Sequence, residues 1–381
     1  MARRTAAGHV RRDLASPWRH VDGVLVAAAL SVALLGCLMV YSATRFGLEQ
    51  QGLDPLASVK RQALFVALGV VVMAAVTAVD HRRLLRLAAI PYLAVIGLLA
   101  LVVSPLGTEV KGAQSWFAFG SFQLQPAELA KLAGIVALAA YCARHRIDLD
   151  GRRLLVALGI AVVPMALVML QPDLGSTLVF VAVTVAILLV AGARATHLAA
   201  LCVVGVVGAV GVLQLDVLEG YQRERLTAFA KEGGGDRQGA AFQLDQARTT
   251  VAAGGLAGAG LFQGTQTKLG FVPEQQTDFI FTVVGEELGF VGSAVLLVLY
   301  GVIVWRLWRT GVLARDAFGT LLCTGVLAMV VFHVFQNMGM AMGIMPITGI
   351  PLPLMSYGGS ATITVFAGLG LAMNVHMRRF A

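Results

Sequence analysis

The chain has 381 residues, of which 58% are hydrophobic and 13% are charged, and its formal net charge is +8. With a mean hydropathy of +0.80, this composition excludes a water-soluble globular protein and indicates an integral membrane protein. The positive charge does not indicate nucleic-acid binding, because most basic residues lie between apolar runs, where they face anionic lipid headgroups.

Apolar runs of about 20 residues, the length that crosses a bilayer, follow one another along the chain. They cover residues 22–43, 62–80, 84–104, 126–143, 154–171, 174–192, 196–215, 279–305, 317–337 and 358–377. We therefore predict an all-α integral membrane protein with about ten transmembrane helices, in a single polytopic domain over residues 1–381. The first run is too long for a signal-peptide core, which predicts a retained first span.

The distribution of Arg and Lys predicts how these spans are oriented, since short cytoplasmic loops are enriched in both residues. The N-terminal segment and every second connection after it are basic, at residues 3–19, 82–86, 144–153, 194, 306–315 and 378–379. The short connections between them hold fewer basic residues. Both termini are therefore predicted to be cytoplasmic, and the long loop 216–277 is predicted to be extracytoplasmic.

A first polar cluster precedes and enters the fourth predicted span, in EVKGAQSWFAFGSFQLQPAELAK. It contains Lys111 and Trp116, and Pro126 suits the first turn of the following helix. Glu128 and Lys131 are three residues apart, so they lie on one helical face and are close enough to pair. A structural ion pair that neutralises itself near the outer leaflet is the alternative interpretation of these two residues.

Two further polar segments are predicted on the same outer side. The turn 171–176 carries Gln171 and Asp173, and the segment 342–360, with its three prolines, follows Asn337 in the ninth predicted span. Irregular backbone at membrane depth is tolerated only where it is buried in protein or lines a wet cavity. The topology therefore predicts a shared outward-facing cavity.

Four acids occur together in FVPEQQTDFIFTVVGEELG, which starts at Phe271: Glu274, Asp278, Glu286 and Glu287. An unpaired carboxylate at the bilayer centre costs on the order of 3 kcal/mol even on a lenient insertion scale, so each acid indicates a functional site. The alternative for Asp278 is that it caps the start of the span. Glu286 and Glu287 would equally serve structure.

The end of the long loop is rich in glycine. Gly258, Gly260 and Gly264 have the spacing G-x-G-x-x-x-G without a surrounding βαβ unit, which does not support a dinucleotide site. We expect a flexible loop that approaches a ligand or the membrane closely. Earlier in the same loop, Tyr221–Lys231 is predicted to form an amphipathic helix on the bilayer surface.

The strings KGAQSW, QPAELAK, QPDLGS, FVPEQQTDFIFTVVGEELG and QNMGMAMGIMPITGIPLPLMSYGGS, spread between residues 111 and 360, resemble the motifs of the SEDS family of bacterial cell-wall polymerases. Their residues resemble those of the elongation branch, RodA, more than those of the division branch, FtsW. The resemblance implies a SEDS-type fold in the bacterial cytoplasmic membrane. It also implies a peptidoglycan glycosyltransferase that polymerises lipid II into glycan strands at the outer face, for cell elongation and shape.

By this resemblance Asp278 matches the aspartate that the family needs for polymerisation and is the predicted catalytic residue. The matched motifs supply the predicted substrate-binding residues Lys111, Trp116, Glu128, Lys131, Gln171, Asp173, Glu274, Thr277, Asn337, Ser356 and Tyr357. The chain departs from the family at Ser115, Ser176 and Ala361, where arginine, threonine and serine are usual. Ser115 removes one expected phosphate contact.

The chemistry requires one inversion, because an α-linked disaccharide on a polyprenyl pyrophosphate becomes a β-1,4 linkage. A carboxylate suits the base that takes the proton of the acceptor 4-hydroxyl, and Asp278 is the candidate. Lys131, Lys111 or an arginine would stabilise the departing pyrophosphate. A divalent cation, Mg²⁺ or Mn²⁺, is the alternative Lewis acid, but the sequence has no metal motif and the ligands stay unassigned.

The resemblance also implies a class B penicillin-binding protein as partner, together with other membrane proteins of the elongation complex. The chain itself lacks an S-x-x-K motif with K-T-G, so crosslinking needs another protein. Two alternatives remain at this point. A lipid II flippase or other transporter would use the same cavity, and a non-catalytic scaffold would not need Asp278.

Overall fold

The computed structural model describes residues 20–110, 113–120, 122–145, 150–201, 203, 205 and 239–379. These residues form mainly helices, which we number in chain order. They are α1 (Gly23–Gln50), α2 (Ala57–Ala78), α3 (His81–Leu87), α4 (Ala89–Val103), α5 (Pro126–Arg144), α6 (Gly151–Met169), α7 (Leu174–Val190), α8 (Ala240–Ala253), α9 (Thr265–Leu269), α10 (Ile280–Val312), α11 (Ala317–Ala341) and α12 (Gly359–Met377).

The predicted fold class is confirmed. Within the described residues, seven helices are long and apolar enough to cross a membrane, and α3 with α4, bent by 62°, forms an eighth candidate span. Helix α7 is apolar but has only 17 residues. The predicted span 196–215 lies mostly outside the described residues, although residues 195–201 are helical. The predicted surface helix Tyr221–Lys231 also lies outside them.

A small antiparallel sheet precedes α5 and was not expected from the sequence. Its strands are β1 (Thr108–Val110), β2 (Ala113–Phe119) and β3 (Phe122–Leu124), in the order β1-β2-β3. Trp116 of β2 lies opposite Thr108. Because strands of three to seven residues leave little periodic signal between two apolar spans, the hydropathy pattern did not distinguish this sheet from a loop.

The two ends of the helix bundle differ in character. One end, which we call the basic end, contains the starts of α1, α3 and α11 and the last turns of α10 and α12. There Arg306 pairs with Asp22 at 2.5 Å, and His81 Nε2 lies 3.1 Å from Asp316 Oδ2. The hydrogen bond with His81 holds the pKa of the Asp316 carboxyl below its usual value. These contacts tie the helix ends together.

The other end, the polar end, contains the starts of α5, α7, α10 and α12, the end of α11 and the sheet. Here Ser360 at the start of α12 donates to the carbonyl of Gln123 in β3 at 3.0 Å. Ser360 Oγ also accepts from the backbone N–H of Gln125 at 3.1 Å. Almost all of the predicted site residues that are described belong to this end or to the first turns below it.

Helix α10 is broken at Gly289 (φ 65°, ψ −161°), and the glycine-rich segment 255–260 fills the break. In an uninterrupted helix, Phe290 and Val291 would donate to the carbonyls of Glu286 and Glu287. Instead, four hydrogen bonds join the two segments: Ala259 N to Glu286 O (2.8 Å), Gly260 N to Glu287 O (3.1 Å), Phe290 N to Gly255 O (2.9 Å) and Val291 N to Leu256 O (3.1 Å). The glycine-rich segment therefore lies directly against the break in α10.

We expect Gly258→Ala to lower the melting temperature of the detergent-purified protein. Gly258 has φ +80°, and a Cβ there would lie 2.2 Å from the carbonyl oxygen of Glu287. Alanine at positive φ alone destabilises by more than about 1 kcal/mol, and the carbonyl must also move. Gly301→Ala in α10 is the control, because nothing lies within 4 Å of its Cβ position. Equal melting of the Gly258→Ala variant and the native chain would contradict the tight contact.

Candidate functional site

Asp278 lies one residue before the N-cap of α10, which is Phe279, so Asp278 is not the cap residue of that helix. Its residue is partly buried. Its backbone N–H donates to the carbonyl of Glu274 at 3.1 Å, which closes the turn that precedes α10. The carboxylate is therefore carried by a turn whose backbone is fixed at the mouth of the bundle.

The neighbouring predicted residues belong to this same turn. Glu274 is exposed and has φ 53°, and Thr277 Oγ1 donates to its carbonyl oxygen at 3.1 Å and to its carboxylate at 3.3 Å. Thr277 therefore helps to hold the turn in its left-handed conformation. This local role is compatible with a loop contact for Glu274.

Asn337 connects the Asp278 turn to the irregular segment after α11. It is completely buried, and its Nδ2 donates to the carbonyl oxygens of Asp278 and Ile350, both at 2.7 Å. A single amide thus fixes the backbone on which the candidate base stands. The polar position that the sequence indicated near the end of this apolar helix, Asn337, therefore links two backbone segments.

Ser356 and Tyr357 lie on the other side of the same turn. The backbone N–H of Tyr357 donates to the carbonyl of Gln276 at 2.8 Å. The Ser356 hydroxyl accepts from the N–H of Leu352 at 2.8 Å, and the Ser356 carbonyl accepts from Gln62 of α2 at 3.1 Å. The segment 352–358 is consequently held between α2 and the Asp278 turn.

Glu128 and Lys131 form the pair that their spacing predicted. Lys131 Nζ lies 2.6 Å from Glu128 Oε1, and both residues are buried. The ammonium also lies 3.2 Å from His333 Nε2. Because His333 Nδ1 is 2.6 Å from the carbonyl oxygen of Met329, Nδ1 carries the proton and Nε2 accepts from Lys131.

Sequence reasoning omitted His333, although an ionisable residue inside an apolar span is itself a functional-site signal. His333 and Asn337 are four residues apart on α11, so they lie on the same helical face about 6 Å apart along the axis. The Glu128–Lys131–His333 cluster therefore lies about one turn below the residue that binds the backbone of Asp278.

Asp173, Gln171 and Trp116 border this region. Asp173 is the N-cap of α7 and accepts from Ser176 N at 2.8 Å, and Gln125 Nε2 lies 3.4 Å from its other oxygen. The Gln171 carbonyl accepts from Ser115 of β2 at 3.3 Å. Trp116 is partly buried in the sheet. Lys111 lies outside the described residues.

Glu286 and Glu287 serve the fold. Glu286 accepts from the backbone N–H groups of Gln266 and Thr267 at 2.7 and 2.9 Å and from the Thr267 hydroxyl at 2.7 Å, which caps the start of α9. Glu287 accepts from Phe262 N at 3.0 Å and from the Ser42 hydroxyl. Both carboxylates anchor the loop on α10, in agreement with a structural interpretation.

The described residues do not form a group of three His, Cys, Asp or Glu side chains that would hold a metal ion. Within the described part of the chain, no ligand can therefore be assigned to the expected divalent cation. The chemical groups that the polar end does offer are a partly buried carboxylate, a buried ammonium and several amides and hydroxyls. Such a set suits proton removal beside an anionic leaving group.

Comparisons with known proteins identify relatives along nearly the whole chain. The model of the family FTSW_RODA_SPOVE, described as cell cycle protein, matches residues 23–380. Stage V sporulation protein E of Bacillus subtilis is 35% identical and covers 93% of this chain and 96% of its own. Peptidoglycan glycosyltransferase MrdB of Escherichia coli K12 is 34% identical, with 94% of each chain covered. The probable peptidoglycan glycosyltransferase FtsW of Thioalkalivibrio sulfidiphilus is 38% identical, with 94% and 90% covered.

A solved structure agrees with this match. A chain from a study of the structural coordination of polymerization and crosslinking by a peptidoglycan synthase complex is 33% identical, with a TM-score of 0.81 and coverage of 94% of this chain and 98% of its own. The relatives carry different names, so the match does not separate the elongation branch from the division branch. With a family model that spans almost the whole sequence, the chain belongs to the FtsW/RodA/SpoVE family of cell cycle proteins, the SEDS family.

Proposed function

We propose that this chain is a peptidoglycan glycosyltransferase that polymerises lipid II, with Asp278 as the general base. The main support for this proposal is the position of Asp278. It lies on a turn that Asn337 fixes, about one helical turn above the buried Lys131 cluster. The names of two relatives, MrdB and FtsW, support the reaction class.

In the proposed reaction Asp278 removes the proton of the acceptor 4-hydroxyl. The 4-oxygen then forms a bond to the anomeric carbon of the donor, while the bond from that carbon to the pyrophosphate oxygen breaks. The electron pair leaves with the polyprenyl pyrophosphate. Attack from the face opposite the leaving group inverts the anomeric centre, which accounts for the change from α to β linkage.

Lys131 is proposed to stabilise the negative charge that develops on the pyrophosphate. An ammonium has three N–H donors, of which Glu128 and His333 take two. Because His333 is neutral, its contact with Lys131 does not cancel the positive charge of the ammonium. A cation in a site of low polarity stabilises developing charge more strongly than it would in water.

We further propose that the polar end faces the outside of the bacterial cytoplasmic membrane and that both termini are cytoplasmic. The basic end supports this orientation, because its arginines match the cytoplasmic bias for basic residues. The proposed partner is a class B penicillin-binding protein, and the synthase complex of the structural relative supports a polymerase that works with a crosslinking enzyme. A role in elongation predicts rounded cells when the chain is depleted, whereas filamentous cells would indicate a role in division.

The function is tested by incubating the detergent-purified chain with lipid II and a transpeptidase-inactive class B penicillin-binding protein. We expect glycan polymer that a muramidase digests to disaccharide units. If polymer is absent and the chain instead moves lipid II across liposomes, the protein is a flippase. Polymer that the partner forms without the chain would indicate a scaffold.

A further inference from the structure

Two buried amides near Asp278 have polar atoms without a hydrogen-bond partner among the described residues. Gln171 is 1% exposed, and neither its Oε1 nor its Nε2 is paired. Asn337 is unpaired at Oδ1. Its orientation is fixed, because a flipped amide would direct this oxygen at the carbonyls of Asp278 and Ile350. Buried polar groups are nearly always paired in folded proteins, so these atoms require an explanation.

A third unpaired polar group lies on the 346–350 segment, which contacts both the turn that carries Gln171 and the side chain of Asn337. Thr348 Oγ1 is also buried without a partner among the described residues. The turn that carries Gln171 packs directly on this segment, since a Cβ on Gly175 would lie 2.7 Å from the carbonyl oxygen of Thr348. Asn337 holds the same segment through Ile350, 2.7 Å away. Gln171, Thr348 and Asn337 therefore belong to contiguous elements beside the Asp278 turn.

The chemistry of the unpaired atoms selects the ligand. The oxygens of Gln171 and Asn337 are acceptors, which need an O–H or N–H donor. A pyrophosphate that is fully ionised offers no such donor, whereas sugar hydroxyls and an acetamido N–H do. The Gln171 amide and the Thr348 hydroxyl can donate to sugar oxygens in return. The set is uncharged, which suits a neutral carbohydrate and not the leaving group.

We propose that Gln171, Asn337 and Thr348 form the subsite for the N-acetylated sugar of the acceptor, whose 4-hydroxyl faces Asp278. The inference rests on the proposed function and specifies which part of lipid II these residues recognise. The atoms are covered in the present conformation, so binding of the sugar requires the 346–350 segment to move away from the turn at Gly175.

Two isosteric variants distinguish an unpaired glutamine from a paired one. Gln62 in α2 is equally buried, but its Nε2 donates to Ser356 O at 3.1 Å and its Oε1 accepts from Gly358 N at 3.3 Å. We expect Gln171→Met to raise the melting temperature of the ligand-free chain, because it removes two unpaired polar atoms. Gln62→Met should lower it, because it breaks these two hydrogen bonds and a third, longer one from Nε2 to Thr362 Oγ1 at 3.5 Å.

The same Gln171→Met variant should raise KM for the acceptor by about tenfold, the change expected from the loss of about one hydrogen bond to a bound sugar. In the assay the donor is a labelled lipid II analogue that is blocked at its 4-hydroxyl. The concentration of the unblocked acceptor is varied. Thr348→Val, which keeps the side-chain shape, should raise acceptor KM in the same direction.

Either of two results would overturn the subsite. The first is a Gln171→Met variant that melts below the native chain, as Gln62→Met is expected to do, which would mean that the amide is paired. The second is that both Gln171→Met and Thr348→Val keep the native acceptor KM. If the native chain itself forms no polymer with its partner, the proposed function fails and not the subsite alone. A native chain that is active beside variants with unchanged KM rejects only the subsite.

Discussion

Asp278→Asn should reduce the polymerisation rate by about 10²–10⁴-fold, the contribution typical of a positioned general base. Asparagine has nearly the same shape but cannot take the proton of the acceptor hydroxyl. The fold should be preserved, because the contact that Asn337 makes at 2.7 Å is with the backbone carbonyl of this residue. The measurement is the rate of glycan formation from lipid II, with melting temperature as a check on folding.

A matched control is Glu109→Gln, which neutralises an exposed acid on β1. It should retain the native rate. Asp278→Glu keeps a carboxylate but moves it by one methylene, so its rate should lie between those of the native chain and Asp278→Asn. If Asp278→Asn polymerises as fast as the Glu109→Gln control, Asp278 is not the base.

Lys131→Met should have the second large effect, on stability as well as on activity. The substitution leaves the carboxylate of Glu128 buried without the ammonium that lies 2.6 Å away. Removal of one member of a buried ion pair costs about 3–5 kcal/mol. The free energy of unfolding in detergent should fall accordingly, and polymerisation should fall by about 10²–10³-fold if the cation stabilises the leaving group.

The double variant Glu128→Gln with Lys131→Met separates these two roles. Replacement of a whole buried pair by neutral side chains is often close to neutral for stability, so the double variant should melt near the native chain. Its polymerisation rate should remain low, because the cation is still absent. Native activity in the double variant would establish the alternative interpretation, a pair that serves structure alone.

The parts of the fold that the sequence predicted depend on local patterns. Span positions follow from hydropathy over about 20 residues, and the Glu128–Lys131 pair follows from their spacing on one helix. The alternative that Asp278 caps α10 was wrong, since a shift of one residue at the helix start makes Phe279 the N-cap. Helix boundaries are the least reliable feature of a sequence-based prediction.

What the sequence could not predict depends on contacts between distant segments. The pairing of 255–260 with the break at Gly289 and the anchoring role of Glu286 require the loop to fold back on α10. The contact of His333 with Lys131 joins residues 202 positions apart. A single sequence records the residue types at these positions but not which of them meet.

The most direct test of the central claim compares three samples with the same lipid II and the same transpeptidase-inactive penicillin-binding protein. They contain the native chain, the Asp278→Asn chain or no chain, and polymer is separated by gel electrophoresis. We predict glycan polymer with the native chain and none above background in the other two samples. Equal polymer with native and Asp278→Asn chains would contradict the assignment of catalysis to this site.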